Sequence, residues 1–230
     1  GIPDYRSSVE SMWRKNPDVL NKLSEETFQL EPAVFWEAFY QLIKQSLSSL
    51  IPFPTHEALI STIKAIKPNS GHQFFTWLQN ELQKDLTIIT QNVDGLDKKA
   101  GSEKIVEMHG NIWEVICPQC HMSYSLTQIL KNDHAPVCEC SSVLRPNVVF
   151  FGDAVKQYDR AAHAVENADL IIVVGTSLQV YPFNQLIHIK NEQAKLVLLN
   201  GEAIDYTLPF HHTACRDISS ICSKLKEFLT

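Results

Sequence analysis

The stretch Asp169-Leu170-Ile171-Ile172-Val173-Val174-Gly175-Thr176-Ser177 decides the fold. Its apolar run is far too short to cross a bilayer. It also lacks the apolar/polar alternation of a strand with one wet face, so it reads as a strand buried on both sides. Gly175 closes it, and a small polar pair follows where the chain leaves the strand. Three other runs share the signature: Leu86-Thr87-Ile88-Ile89, Asn147-Val148-Val149-Phe150-Phe151 between Pro146 and Gly152, and Lys195-Leu196-Val197-Leu198-Leu199. Helical periodicity fills the intervals. One helix is predicted from about Tyr158 to Asn167, another from Pro182 toward Glu192, and a last amphipathic one from Asp217 to Phe228. Upstream, Ser70 can cap a helix carrying Phe74, Phe75, Leu78 and Leu82. Continuous apolar strands separated by helices predict a parallel sheet covered on both faces. Right-handed crossovers make that an α/β, Rossmann-like, doubly wound domain.

Two stretches break this rhythm. Residues Trp13 to Ile66 read as mostly helical, with Phe35, Trp36, Phe39, Tyr40, Ile43 and Leu47 marking one apolar face. Residues 114–145 hold cysteine pairs and little periodicity. The expected organisation is therefore a Rossmann-like domain from 1–12, 67–113 and 146–230. A smaller second domain is expected from the helical insertion 13–66 and the cysteine module 114–145.

Composition narrows the function classes. The 230 residues are 44% hydrophobic and 20% charged, which suffices for one good core and a small satellite module. A net charge of −6 and no basic block argue against direct nucleic-acid binding, though not against a basic peptide. No signal-peptide layout opens the chain and no run is long enough for a membrane span, so a cytoplasmic location is expected, or a nuclear one in a eukaryote. A start at Gly1 points to a processed or trimmed chain.

Cys117-Pro118-Gln119-Cys120 and Cys138-Glu139-Cys140 supply four thiols in two close pairs. Zinc takes four soft ligands tetrahedrally, and two short knuckles can each give two. The pairs are separated by roughly fifteen to twenty residues, a spacing typical of zinc sites. With four protein ligands the metal has no open position, so it is expected to be structural. The alternative is a set of buried free thiols. His121 and His134 lie near enough in sequence to replace one sulfur. Cys215 and Cys222 read as isolated thiols.

Gln91-Asn92-Val93-Asp94-Gly95 and Met108-His109-Gly110 follow the strand that ends at Thr90, and polar clusters at strand ends are where open α/β sheets bind ligands. These motifs combine with Gly1-Ile2-Pro3-Asp4-Tyr5-Arg6, Arg145-Pro146 through Gly152, Gly175-Thr176-Ser177 and Leu199-Asn200. In this order, across nearly the whole chain, the set resembles the sirtuins. The resemblance implies an NAD-dependent protein-lysine deacylase acting on an acyl-lysine peptide, with NAD as cofactor and a structural zinc held by Cys117, Cys120, Cys138 and Cys140. The products implied are nicotinamide, free lysine and acyl-ADP-ribose. Two alternatives remain at this point: a mono-ADP-ribosyltransferase using the same NAD site, and a catalytically silent NAD-binding module.

The resemblance also assigns residues. His109 would be the general base, taking a proton from a ribose hydroxyl. An imidazole titrating near neutrality suits that task. Gln91 would hold the nicotinamide ribose, and Asn92 would help to order it. Asp94, Ile2 and Asp4 would contact the nicotinamide amide, and Arg6 matches the arginine of the cofactor-binding loop. Gly175, Thr176 and Ser177 would line the phosphate and ribose path, while Asn200, Glu202 and Ile218 would meet the adenosine. The family binds its substrate as an added strand. Here Val149, Phe150, Phe151 and Gly152 would form one flanking edge and the segment around Val180 the other. Tyr40 and Ile43 occupy the place of the Tyr-x-x-Arg pair that recognises dicarboxylic acyl groups. Without the arginine a buried carboxylate would lack a partner, which implies neutral acyl groups.

Departures from the family pattern are few. The Gly-Ala-Gly-x-Ser turn and its strand, expected just before Gly1-Ile2-Pro3-Asp4, are not in this sequence, and truncation is the expected reason. Asp97 replaces a histidine often found there, and Tyr5 stands where Phe is commoner.

Overall fold

The computed structural model describes residues 17–47, 55–130, 134–204 and 209–230. Ile2, Asp4 and Arg6 lie outside the described residues. In chain order the helices are α1 (Pro17–Asn21), α2 (Glu25–Leu30), α3 (Pro32–Ser46), α4 (His56–Ala65) and α5 (Ser70–Asn80). After strand β1 (Ile88–Thr90) come α6 (Leu96–Ala100), β2 (Ile105–Glu107), β3 (Gly110–Ile116), β4 (Ser123–Ser125), α7 (Leu126–Ile129) and β5 (Arg145–Val148). The chain continues through α8 (Tyr158–Glu166), β6 (Leu170–Val174), a 3₁₀ helix (Phe183–Ile189), β7 (Lys195–Asn200), β8 (His212–Cys215) and α9 (Ile218–Leu229). No helix among the described residues is long and apolar enough to cross a membrane.

The chain divides into two compact units. One takes the described part of Gly1–Ile66 with Asn92–Gly95 and His109–Ala154, and the other takes Lys67–Gln91, Leu96–Met108 and Val155–Thr230. In the second unit, β1 and β2 pair in parallel with Thr90 opposite Glu107, and β6, β7 and β8 form a parallel sheet in that order. Helix α8 buries Ala161 and Val165 in a cluster with Val106, Met108 and Leu186, against which Ile89 of β1 and Ile171 of β6 also pack. Helices α5 and α9 build a separate cluster from Phe74, Leu78 and Cys222. Parallel strands with helices packed against them in distinct apolar clusters make this the Rossmann-like, doubly wound part of an α/β chain.

The start of α5 differs slightly from expectation. Asn69, not Ser70, is the N-cap, because its Oδ1 accepts from the backbone N–H of His72 at 3.2 Å, while His72 Nδ1 takes the Asn69 N–H at 3.3 Å. Ser70 instead donates its hydroxyl to the Ser219 carbonyl at the start of α9.

The first unit holds the antiparallel sheet β4-β3-β5 and the helices α1 to α4. Asn147–Phe151, expected as a buried parallel strand, contributes only its first residues to a strand, and that strand runs antiparallel to β3. Along β5, half-buried Arg145 and Asn147 alternate with buried Pro146 and Val148. This is the period of a one-faced strand, and a short apolar run says nothing about the direction of its partner.

The core of this unit is aromatic. Glu31 precedes Pro32, which is tolerated at the first helical turn because its missing N–H would have no helical partner. From there α3 turns Phe35, Trp36, Phe39, Tyr40, Leu42 and Ile43 inward. Phe35 meets Phe28, Trp36 and Phe150 edge-on at centroid distances of 5.3, 6.4 and 5.0 Å, the orientation that aromatic quadrupoles favour. Trp36 donates its indole N–H to the Leu144 carbonyl at 2.8 Å. Phe35 is fully buried at the centre of this packing, so Phe35→Ala is expected to destabilise the protein by about 3–5 kcal/mol. Denaturant titration measures this, and a loss below about 1 kcal/mol would contradict the packing described.

Candidate active site and metal centre

The cysteine module is pinned by tight turns. In the first knuckle, Cys117 N–H donates to the Met122 carbonyl at 2.9 Å, and His121 N–H returns to the Cys117 carbonyl at 3.0 Å. The second pair is one residue tighter, and its turn closes through Cys138 N–H to Ser142 O at 2.8 Å, with Ser141 in left-handed conformation at φ 69°. The result brings four sulfurs within 4.8 Å of one another. Cys117 and Cys140 Sγ are 3.4 Å apart, and Cys120 and Cys138 Sγ are 3.6 Å apart. A zinc tetrahedron with bonds of about 2.3 Å has edges of about 3.8 Å, so the sulfurs fit that ion. Neither histidine belongs to the ligand group found among the described residues.

Protonation of the thiols fits the same ion. For Cys117, burial raises the pKa, but the N–H groups of Cys120 and Gln119 and the Cys140 sulfur outweigh it and hold the thiol down at about 6. For Cys120, donation from the Met122 N–H lowers the pKa, yet the Cys117 sulfur and burial push it up to about 12. Cys138 is lowered, first by the Tyr124 hydroxyl, which lies 3.2 Å from its sulfur. Cys140 is raised: donation from the Ser142 backbone is overcome by the Cys117 sulfur and burial. Each of the four must shed its proton to bind a dication.

Strand β3 runs into this module at Cys117 and begins just after His109. Half-buried His109 gives its carbonyl to Val149 N–H at 2.9 Å. Gly110, at φ 79°, lies so close to β5 that a Cβ built there would sit 1.9 Å from the Asn147 carbonyl oxygen. Only glycine supports that approach. Further along, Ile112 N–H donates to the Val93 carbonyl at 2.8 Å, and the Trp113 indole N–H donates to the Asp94 carbonyl. The Asn92–Gly95 turn is therefore fastened to the strand that His109 precedes. Asp94 is half-buried and Asn92 exposed.

Gly152 and exposed Phe151 border a cleft of about 520 Å³ with Ser24, Glu25, Glu26 and Gln29, and Glu25 N–H donates to the Phe151 carbonyl at 2.9 Å. Arg145 and Asp153, absent from the sequence assignment, hold this segment. Asp153 Oδ2 accepts from Arg145 at 2.5 Å and from Phe150 N–H at 2.7 Å. The guanidinium lies over Phe28 and Phe150. A charge-assisted pair of this kind has a sequence signal only once Arg145 and Asp153 are known to flank a turn. Tyr40 and Ile43 are almost fully buried in the aromatic core, and the Tyr40 hydroxyl donates to the His134 carbonyl at 3.1 Å.

In the second unit, the remaining predicted residues lie at or after the carboxyl ends of β1, β6 and β7 and at the start of α9. Gly175 N–H donates to the Leu199 carbonyl at 3.0 Å, and Asn200 pairs with Cys215. Ile218 opens α9 beside Gly175, its Cδ1 3.1 Å from where a Cβ on that glycine would lie. Asn200 is buried and donates its amide to the Glu202 carbonyl at 2.9 Å. Thr176 Oγ1 accepts from Leu178 N–H, and Ser177 is exposed. Val180 gives its carbonyl to Asn184 N–H at 2.9 Å at the entry of the 3₁₀ helix. Gln91 follows β1, its Nε2 out of solvent. Carboxyl ends of parallel strands are the ligand-binding edge of such sheets.

Comparison with known proteins places the chain among proteins of one kind. The model of the Sir2 family matches residues 1–182. The chain is 34% identical over 207 residues to NAD-dependent protein deacetylase 2 of Geobacillus kaustophilus, covering 88% of the chain and 76% of that protein. It is 32% identical over 229 residues to the NAD-dependent protein deacetylase of Chromobacterium violaceum, covering 98% and 86%. A solved complex of Sir2 with a p53 peptide and NAD+ superposes with a TM-score of 0.76 at 28% identity, over 99% of this chain and 87% of the other.

The metal centre generates a direct test. Metal analysis should find one zinc per chain, released as pH falls because each ligand must shed a proton to bind. Tyr124→Phe removes the hydroxyl donor to Cys138 and should lower zinc affinity about 10- to 100-fold in chelator competition. Unchanged affinity in that variant would exclude the hydroxyl from the metal's support.

Proposed function

The chain belongs to the Sir2 family and is an NAD-dependent protein-lysine deacylase with a structural zinc; from that premise we propose the roles of its residues as follows. His109 is the general base, and Gln91 and Asn92 order the nicotinamide ribose. Asp94, with Ile2 and Asp4, meets the nicotinamide amide, and Arg6 belongs to the cofactor-binding loop. Gly175, Thr176 and Ser177 line the phosphate path, and Asn200, Glu202 and Ile218 serve the adenosine. The observation that carries this reading is the fastening of the Asp94 turn to β3 directly beyond His109, by Ile112 N–H and the Trp113 indole. The sheet offers its carboxyl edge to a dinucleotide: Gly175, at φ 59°, follows β6 and packs against Ile218, which opens α9.

Bound NAD supplies the anomeric carbon that nicotinamide leaves and the acyl oxygen of the substrate attacks. His109 would take the proton from a ribose hydroxyl so that its oxygen can reach the acyl carbon; the amine would leave as free lysine, and one water would supply the oxygen that completes acyl-ADP-ribose. The imidazole is half-buried, and exclusion of water protects an electrophilic sugar from hydrolysis. The acyl-lysine peptide runs as an added strand along Val149, Phe150, Phe151 and Gly152 and the segment around Val180. The carboxylates of Glu25 and Glu26 beside Phe151 and Gly152 suit a peptide that carries free basic residues next to the uncharged acyl-lysine. The zinc takes no chemical part, because four sulfurs leave it no open position. A cytoplasmic location accords with six cysteines that form no disulfide.

His109→Ala should lower NAD-dependent deacylation about 10²- to 10⁴-fold with the fold intact. Wild-type formation of free lysine and acyl-ADP-ribose by that variant would remove His109 from the mechanism. Tyr40 and Ile43, read as lining the acyl pocket, bring no cation to an acyl carboxylate. Acetyl-lysine peptide is therefore expected to turn over faster than its succinyl counterpart, and the reverse order in a matched assay would overturn this assignment.

A further inference from the structure

We infer that Trp113 is a positioning residue for nicotinamide recognition, acting through Asp94. The inference rests on the reading that Asp94 meets the nicotinamide amide, and it adds a residue that belongs to none of the motifs quoted above. An indole N–H can only donate, and a half-buried one needs an acceptor. Trp113 finds it in the Asp94 carbonyl. Its neighbours complete a clamp. Ile112 N–H holds the Val93 carbonyl, and Trp113 N–H holds Asn111 Oδ1 at 2.9 Å, which fixes the Asn111 side chain against the turn. Gly95, at φ 64°, lies on this surface: a Cβ there would sit 2.9 Å from Asn111 Nδ2 and 3.1 Å from Trp113 Cδ1.

Ile112 and Trp113 of β3 thus hold the Val93 and Asp94 carbonyls, one through its backbone and one through its indole, while Trp113 and Asn111 leave no space for a side chain at Gly95. Such a clamp does not touch the ligand. It restricts where the Asp94 carboxyl can stand, so part of the ordering needed for recognition is complete before binding. Losing the indole donor leaves the turn free to shift, and the carboxyl with it. The effect should appear in binding of the nicotinamide end and not in peptide recognition.

Trp113→Phe keeps a ring over Gly95 and removes only the donor. Its KM for NAD and the nicotinamide concentration that halves activity are both expected to rise about fivefold to tenfold. At saturating NAD, kcat should change by less than about twofold, with the KM for acetyl-lysine peptide unchanged. Gly95→Ala keeps the indole donor but sets a methyl group against Asn111 and the Trp113 ring, displacing the same turn, so it should shift the same two constants even if Trp113→Phe folds poorly. The double variant should shift them less than the product of the single effects, since both act on one contact. Either folded single variant keeping the wild-type NAD and nicotinamide constants would overturn the inference. So would an equal loss in peptide KM. An unmutated protein that releases no nicotinamide would instead contradict the functional reading on which the inference stands.

Discussion

At Gly110 the backbone of β3 passes against the carbonyl of Asn147 at a distance no side chain can share. Much of the first unit depends on this contact. It lets β5 lie close against the first residue of β3, directly after the turn that carries His109. From that point onward β3 carries the clamp on the Asp94 turn, then Val115 in the core, then Cys117 in the metal centre. One strand therefore connects the proposed base to a zinc that does no chemistry.

This arrangement explains why an inert metal is worth keeping in an enzyme. The described part of the module from Cys117 to Cys140 has one three-residue strand and a four-residue helix, and it reaches the core of the unit through Leu126 and Leu130. Four sulfurs around one dication give its turns a fixed geometry that so little regular structure does not. Tyr124, opposite Val115 across β3 and β4, donates toward Cys138 and joins the sheet to the ion. Helix α3 is tied to the same module by Trp36 to the Leu144 carbonyl and by Tyr40 to the His134 carbonyl.

The sequence was most legible where a single residue type has a single use. The apolar runs at Leu170–Val174 and Lys195–Leu199 announced parallel strands, found as β6 and β7, but burial on both sides holds for most of β7 and not for β6, where Leu170 is exposed and only Val173 is buried. The cysteine spacing announced a four-sulfur site, which the geometry reproduces. Asn147–Phe151 was misread in direction, since the chemistry of Gly110 that seats β5 against β3 lies far away in sequence. Trp113, Arg145 and Asp153 were not assigned for a related reason. Each works through a backbone carbonyl or an ion pair formed only after folding, and neither leaves a periodic trace. Family likeness named Asp94 and His109, but it gave no account of what holds them.

The contact at Gly110 is also where the account is most exposed. A Cβ there meets backbone, not the flexible end of a side chain, so it cannot be accommodated without moving β5 or His109. The decisive measurement is the rate of NAD-dependent nicotinamide release by Gly110→Ala, with zinc content determined on the same sample. The expected result is a zinc-loaded protein whose turnover with acetyl-lysine peptide falls by about 100-fold or more, a misplacement effect of the size that about 1 Å can produce. Wild-type turnover in the zinc-loaded variant would contradict it.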